Sequence, residues 1–273
     1  MKSLLLLLSV LIINFASAQN DSIPFRKSPL TNYNNPNLNK AFFKSFLLDV
    51  RDVATFPKNC NWKHSLVIGG VLVGDGIFLL LDRNIDDFFF KHTGKSMEFL
   101  EVHGERVGSG LYTFPLVAAA GITGAIIKDD RLKRASLLTC KSLAISSLTV
   151  NALKHTVGRD RPSSNDSLAT PYKFWGIKES GSHKSFPSGH TITAFSIASM
   201  FAIEYSDKPV VPIIAYTVAA TAPLARMIGH RHWSSDVFIS AAMGYGISHL
   251  IYKLNNWQIK YHKKKLPYTY FEY

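Results

Sequence analysis

Disulfide chemistry is nearly absent from this chain, which has two cysteines, Cys60 and Cys140, in 273 residues. That excludes a small scaffold stapled by several bridges. Cys140 falls in an apolar run and reads as a buried, inert thiol. Whether the two cysteines pair is left open. Acidic residues are also scarce, 19 against 31 Lys and Arg, so the formal charge is +12. Period-two apolar alternation is missing, and so are a βαβ pattern and any repeat of 20–50 residues, which leaves an all-α reading. Long apolar runs are short of the roughly 20 residues that a membrane span needs. The whole-chain mean hydropathy is only +0.06, low for a chain built mostly of spans. Disorder is excluded, because apolar types make up 47% and charged types 18% of the residues.

What is present starts with a targeting signature. Lys2 precedes the apolar run Leu4–Ile13, and Ala16-Ser17-Ala18 has the form of a small-residue cleavage site. Residues 1–18 are therefore expected to be a signal peptide, with export of a chain beginning at Gln19. Loss of Lys2 lowers the charge from +12 to +11. Residues 19–63 read as an Asn- and Pro-rich extended arm followed by an amphipathic helix, Ala41–Phe56, lying on a membrane or on the protein body.

The main body, residues 64–255, carries five to six apolar segments: Leu66–Leu81, Leu111–Ile127, Ala135–Leu153, His190–Tyr205, Val210–Leu224 and Val237–Tyr252. They predict an all-α helical bundle. Residues 256–273 form a basic tail. Lys128, Arg131, Lys133 and Arg134 lie between the second and third segments, and the C-terminal end carries Lys253, Lys260, Lys263, Lys264 and Lys265. If the segments span, the positive-inside rule puts both groups in the cytoplasm and the links 151–189 and 225–236 outside it. A cleaved signal with six spans reverses that parity. Five spans, with Leu66–Leu81 left out because Asp75 sits at its middle, restore it. So does a soluble exported bundle, and the sequence leaves the three arrangements open.

Chemistry concentrates in those two links. The first cluster runs Lys154-His-Thr-Val-Gly-Arg-Asp-Arg161-Pro162; the proline is expected to end a helix near Arg161, and Lys154 and Arg161, two turns apart, would face one pocket. Alone it is weak, because basic residues at a helix end are commonly solvated. The second, Ser185-Phe-Pro187-Ser188-Gly189-His190, opens an apolar helix whose first N–H groups form an anion cradle, with His190 beside it as a proton donor. By itself it would be an ordinary cap. The third runs Arg226-Met-Ile-Gly-His230-Arg231-His232-Trp-Ser-Ser-Asp236. His232 and Asp236, four apart at a helix start, would meet on one face, so that the carboxylate fixes the imidazole tautomer and leaves the other nitrogen nucleophilic. The competing reading is a simple helix-start contact. A metal site would need more ligands and fewer adjacent cations. Together the clusters supply three cations, an N–H cradle, a histidine acid and an oriented histidine nucleophile, the set that phosphoryl transfer needs when no metal neutralises the phosphate.

At these residues the chain resembles the type 2 phosphatidic acid phosphatase superfamily, which includes lipid phosphate phosphatases, bacterial acid phosphatases and vanadium haloperoxidases. The family pattern is Lys-x6-Arg-Pro, Pro-Ser-Gly-His and Ser-Arg-x5-His-x3-Asp. Lys154, Arg161 and Pro162 match the first element, Pro187 to His190 the second, and Arg226, His232 and Asp236 the third. Ala225 stands where the family has Ser. The resemblance implies an acid phosphatase/vanadium haloperoxidase-like bundle and a metal-independent phosphatase without cofactors. In it Lys154, Arg161 and Arg226, with Ser188 and Gly189, bind phosphate; His232 becomes a phosphohistidine, Asp236 orients it, and His190 is the acid and base. The expected substrates are lipid phosphomonoesters or diphosphates: phosphatidate, phosphatidylglycerophosphate, undecaprenyl diphosphate or lipid A phosphates. The expected partners are anionic membranes and phospho-substrates, not nucleic acid, with the oligomeric state undetermined. The site is expected on the periplasmic side of the membrane. A soluble periplasmic acid phosphatase on small esters, a haloperoxidase that traps vanadate, and a non-enzymatic scaffold with a relic site are the alternatives. An apolar route to the site could be lined by Ala41–Phe56 and Phe88–Phe90.

Overall fold

A computed structural model describes Leu38 and residues 40–56, 60–163, 170–177 and 183–265, with side chains as far as Asn255. The expected signal peptide, nearly all of the arm and the last eight residues lie outside the described part. Among the described residues there are eight helices: α1 (Lys40–Thr55), α2 (Trp62–His92), α3 (Lys95–Gly108), α4 (Gly110–Ile126), α5 (Asp130–Val157), α6 (Gly189–Glu204), α7 (Val210–Ile228) and α8 (Ser234–Lys265). No strand occurs among them; Arg159 makes isolated bridges with Phe174 and Lys184. All six apolar segments are helical. The sequence reading omitted α3, whose polar stretch has no long apolar run.

Local chemistry starts these helices. Asn61 caps α2, accepting from the His64 N–H at 2.9 Å, while His64 accepts back from the Asn61 N–H. Asp129 caps α5 through the Arg131 and Leu132 N–H groups at 3.0 Å. α5 ends at Val157, earlier than Pro162 would enforce, because Gly158 takes the left-handed conformation at φ 58. The expected end near Arg161 is therefore corrected. Arg161 lies beyond the helix, and what brings it back towards Lys154 is the Gly158 turn.

Inside the bundle, small and hydroxylated residues let helices approach. Ala194, Ala198, Ala219 and Ala222 form one packed cluster, and Leu138, Ile145, Ile192, Met200, Ile247 and Ile251 another. Ser142 bonds Ser248 at 2.7 Å and Ser146 bonds Ser196 at 3.0 Å between helices. The outside is apolar instead: Leu111 is 77% exposed and Leu80 71%. A soluble bundle would hide such surface. Among the described residues three helices, α2, α5 and α7, are long and apolar enough to cross a membrane, or up to four spans if α3 and α4, bent by 54° at their junction, make one. α2 contains the Leu66–Leu81 segment, so Asp75 does not remove it from the candidates.

α1 lies on the protein body. Lys141 of α5, fully buried, donates to Asp49 at 2.8 Å and Ser45 at 2.7 Å of α1, and to Asn255 of α8 at 3.0 Å. Lys141 is thirteen residues from Lys154, about 20 Å along a helix, so this polar tie lies away from the motif residues. An apolar cavity of about 410 Å³ between α2 and α8, lined by Val67, Val71, Ile239, Met243 and Leu250, is likewise formed away from the motif residues. Cys60 and Cys140 are free, and Cys140 is half-buried where full burial was expected.

Candidate active site

The ends of five helices deliver the three clusters to one place. α5 supplies Lys154 in its last turn, α6 supplies Ser188, Gly189 and His190 at its start, α7 supplies Arg226 in its last turn, and α8 opens after His232. α3 brings Glu105 alongside. Lys154, Arg161 and Arg226 lie within electrostatic reach of one another, and Lys154 and Arg226 within reach of both His190 and His232.

The chain reversal that places His232 is a helix-stop motif. After α7, the Arg231 N–H bonds the Arg226 carbonyl at 3.0 Å and the His230 N–H bonds that of Met227 at 3.0 Å, with His230 in the left-handed region at φ 51. A non-glycine residue is held there by its side chain, whose Nδ1 lies 2.6 Å from Asp86 of α2. The His232 N–H also reaches the Arg226 carbonyl, at 3.3 Å. His232 thus precedes α8 instead of starting it, which corrects the expected helical i, i+4 geometry. Asp236, at the third position of α8, accepts the Trp233 N–H at 3.0 Å, as a capping carboxylate does. Its Oδ2 stands 3.9 Å from His232 Nδ1, at ion-pair distance and without a hydrogen bond.

Asp236 is held by residues that the motif reading passed over. Arg159, 1% exposed, donates to Asp236, to Ser235 at 2.8 Å, to Asp82 of α2 at 2.7 Å and to the Pro171 carbonyl at 2.7 and 2.9 Å. Ser185 donates to Asp236 at 2.5 Å. Asp82 in turn accepts Ser234 Oγ at 2.6 Å and the Ser235 N–H at 2.8 Å, placing a carboxylate at the positive end of α8. Arg159 sat inside the first cluster, and only its place after the helix-stopping Gly158 hinted that it turns inward. Nothing marked Asp82 or Glu105, which lie far along the chain in helices without a motif.

Ser188 caps α6, its Oγ accepting from the Thr191 N–H at 3.4 Å and hydroxyl at 3.0 Å, and it is fully buried. Its own N–H is taken by Ser240 at 2.7 Å. The N–H groups of Gly189 and His190, first in the helix, have no intrahelical acceptor. Arg226 Nε is buried without a partner, while its Nη1 donates to Glu105 at 2.7 Å. Burial and the cation of Arg226 push His190 down to about 4, with Glu105 opposing. Burial also pushes His232 down, against the pull of Asp236. Asp236 stays below the usual carboxylate range although burial opposes it, through His232 and Arg159. Burial, then Arg231, pulls Arg161 down. His183 pairs with Asp160 and stacks on Trp175 at 4.6 Å. Among the described residues no group of three His, Cys, Asp or Glu side chains could hold a metal ion.

The candidate site brings together an N–H cradle, three convergent cations and two histidines, groups of the kind that phosphoryl transfer uses. Residues 135–260 match the model of the PAP2 superfamily, so that part of the chain is similar to that family. It is 34% identical over 149 residues to a lipid A 1-phosphatase from Porphyromonas gingivalis, covering 51% of this chain and 30% of that one. It is 29% identical over 160 residues to a probable diacylglycerol pyrophosphate phosphatase from Schizosaccharomyces pombe, covering 45% and 56%. The chain thus spans less than two thirds of either relative. The fold is shared with a transmembrane PAP2 type phosphatidylglycerolphosphate phosphatase from Bacillus subtilis, at 18% identity and a TM-score of 0.50 over 81% of this chain and 95% of that one.

Proposed function

We propose that this protein is an integral membrane phosphatase that hydrolyses a phosphomonoester or diphosphate of a lipid through a phosphohistidine, without a metal. The observation that carries this reading is the arrival of Lys154, Arg161, Arg226, His190, His232 and Asp236 at one end of an apolar-surfaced bundle. The orphaned Arg226 Nε and the open first N–H groups of α6 await an anion. Lys154, Arg161 and Arg226 neutralise the phosphate oxygens. His232 Nε2, opposite the Asp236 side of the ring, attacks phosphorus in line; the N–P bond forms as the P–O bond to the lipid breaks. His190 gives its proton to the leaving oxygen. Water, deprotonated by His190, then displaces His232 and yields inorganic phosphate. Ser188 acts by capping α6 and setting the Gly189 N–H towards the anion.

A lipid A 1-phosphatase and a diacylglycerol pyrophosphate phosphatase among the relatives favour a glycolipid or glycerolipid phosphate. The exposed leucines and isoleucines weigh against the soluble acid phosphatase reading. The site is assigned to the side opposite the basic clusters. The test is phosphate release, with chelator present, from a lipid A-type phosphate, a diacylglycerol diphosphate and a small aryl phosphate, by the protein and by His232→Ala. Release from the lipids, abolished in the variant, is expected. Equal rates in both proteins would overturn the mechanism, and halide oxidation with vanadate and peroxide would replace it with haloperoxidase chemistry.

A further inference from the structure

α3 is the helix that no motif announced, and it touches the site more closely than a packing helix needs to. A Cβ on Gly108 would lie 2.5 Å from the His190 carbonyl oxygen and 2.6 Å from His190 Cβ. One on Gly104 would lie 2.5 Å from the Thr221 carbonyl oxygen and 2.9 Å from Ala225 Cβ. These two glycines, one turn apart, press the α3 backbone against α6 at His190 and against α7 beside Arg226. Glu105 is thereby carried to the mouth of the site. Its Oε1 accepts from Arg226 Nη1 at 2.7 Å and lies 3.9 Å from His190 Nε2.

We propose, resting on the assignment of His190 as the acid, that Glu105 is a positioning residue that favours the protonated form of His190 and is itself fixed by Arg226. The charges facing His190 make such a group necessary. α7 contributes Arg226, the turn before α8 contributes His232, and α5 contributes Lys154, all of which disfavour an imidazolium. From α8 the titratable group at this end is Asp236, which is engaged by Arg159 and Ser185. Glu105 on α3 is the neighbouring group that favours the protonated ring. A carboxylate 3.9 Å away in a partly solvated mouth is expected to hold the imidazolium by about one pH unit.

The experiment is the pH profile of kcat/KM on a lipid phosphomonoester, for the full-length protein in detergent and for Glu105→Gln, Glu105→Asp and His190→Asn. Glu105→Gln is expected to move the basic limb to lower pH by about one unit, a loss of about tenfold on that side, with the acid-side rate retained. Glu105→Asp restores part of the shift, and in a His190→Asn background Glu105→Gln has no further effect on the limb. A Glu105→Gln profile of unchanged shape, lowered evenly or not at all, overturns the proposal, because a merely structural role acts at every pH. Full activity in His190→Asn overturns instead the assignment of the acid on which it rests.

Discussion

Asp236 shows how far a candidate site residue depends on others that a motif does not contain. Its carboxylate and that of Asp82 are both buried, and Arg159 is the cation between them. Removing one member of a buried charged cluster leaves the others uncompensated, at about 3–5 kcal/mol. Arg159→Met is therefore expected to lower unfolding stability by that amount in detergent, measured by denaturant titration. It is also expected to reduce turnover, because Asp236 loses its anchor. The double variant Arg159→Met, Asp82→Asn should cost less than the sum of the two singles, since the second change removes one orphaned charge. Strict additivity would show that the network is not coupled. The six charged or histidine positions of the candidate site stood out in the sequence by their spacing, and the fold brings them together. Arg159, Asp82 and Glu105 did not, because their roles come from helices that meet only in three dimensions.

The helices divide the work between two ends. At one end α2, α3, α5, α6, α7 and α8 converge on the candidate site. At the other, Lys141 ties α1 to α5 and α8, and Arg134 of α5 pairs with Glu204 of α6, both inside the bundle. Apolar periodicity located every long helix but said nothing of these polar ties. Nor did it separate docking of α1 on the body from docking on a membrane. The ion pair makes that distinction testable. Asp49→Ala leaves the Lys141 ammonium buried and unpaired and should destabilise the fold by about 3–5 kcal/mol. Asp49→Ala with Lys141→Met should recover much of it. Turnover per folded molecule should stay near that of the parent, since Lys141 is about 20 Å from Lys154 along α5. A large fall in turnover with stability unchanged would contradict the separation of the two ends.

Across the whole molecule, the path of the chain turns an ambiguity of the sequence into a definite conflict. α2 enters at the end where His64 lies beside the cavity with Lys253 and leaves at the site, where Asp82 caps α8. α4, α5, α6, α7 and α8 then run alternately between the same two ends. The chain therefore enters α2 and leaves α8 at the end that carries Lys128, Lys133 and the start of the basic tail. If those basic residues stay in the cytoplasm, α1 is cytoplasmic too, and a cleaved export signal just before it does not fit. If the signal is cleaved, the site faces the cytoplasm. Positive charge beside the spans is the stronger determinant, because it is repeated in two separate clusters, so the site is expected outside. The check is labelling of intact cells with a membrane-impermeant maleimide, after replacing Cys60 and Cys140 with Ser. A cysteine at position 184, introduced as Lys184→Cys beside the site, should label, whereas Lys128→Cys should label only after the cells are opened. The reverse pattern would place the phosphatase site in the cytoplasm and restore the cleaved signal.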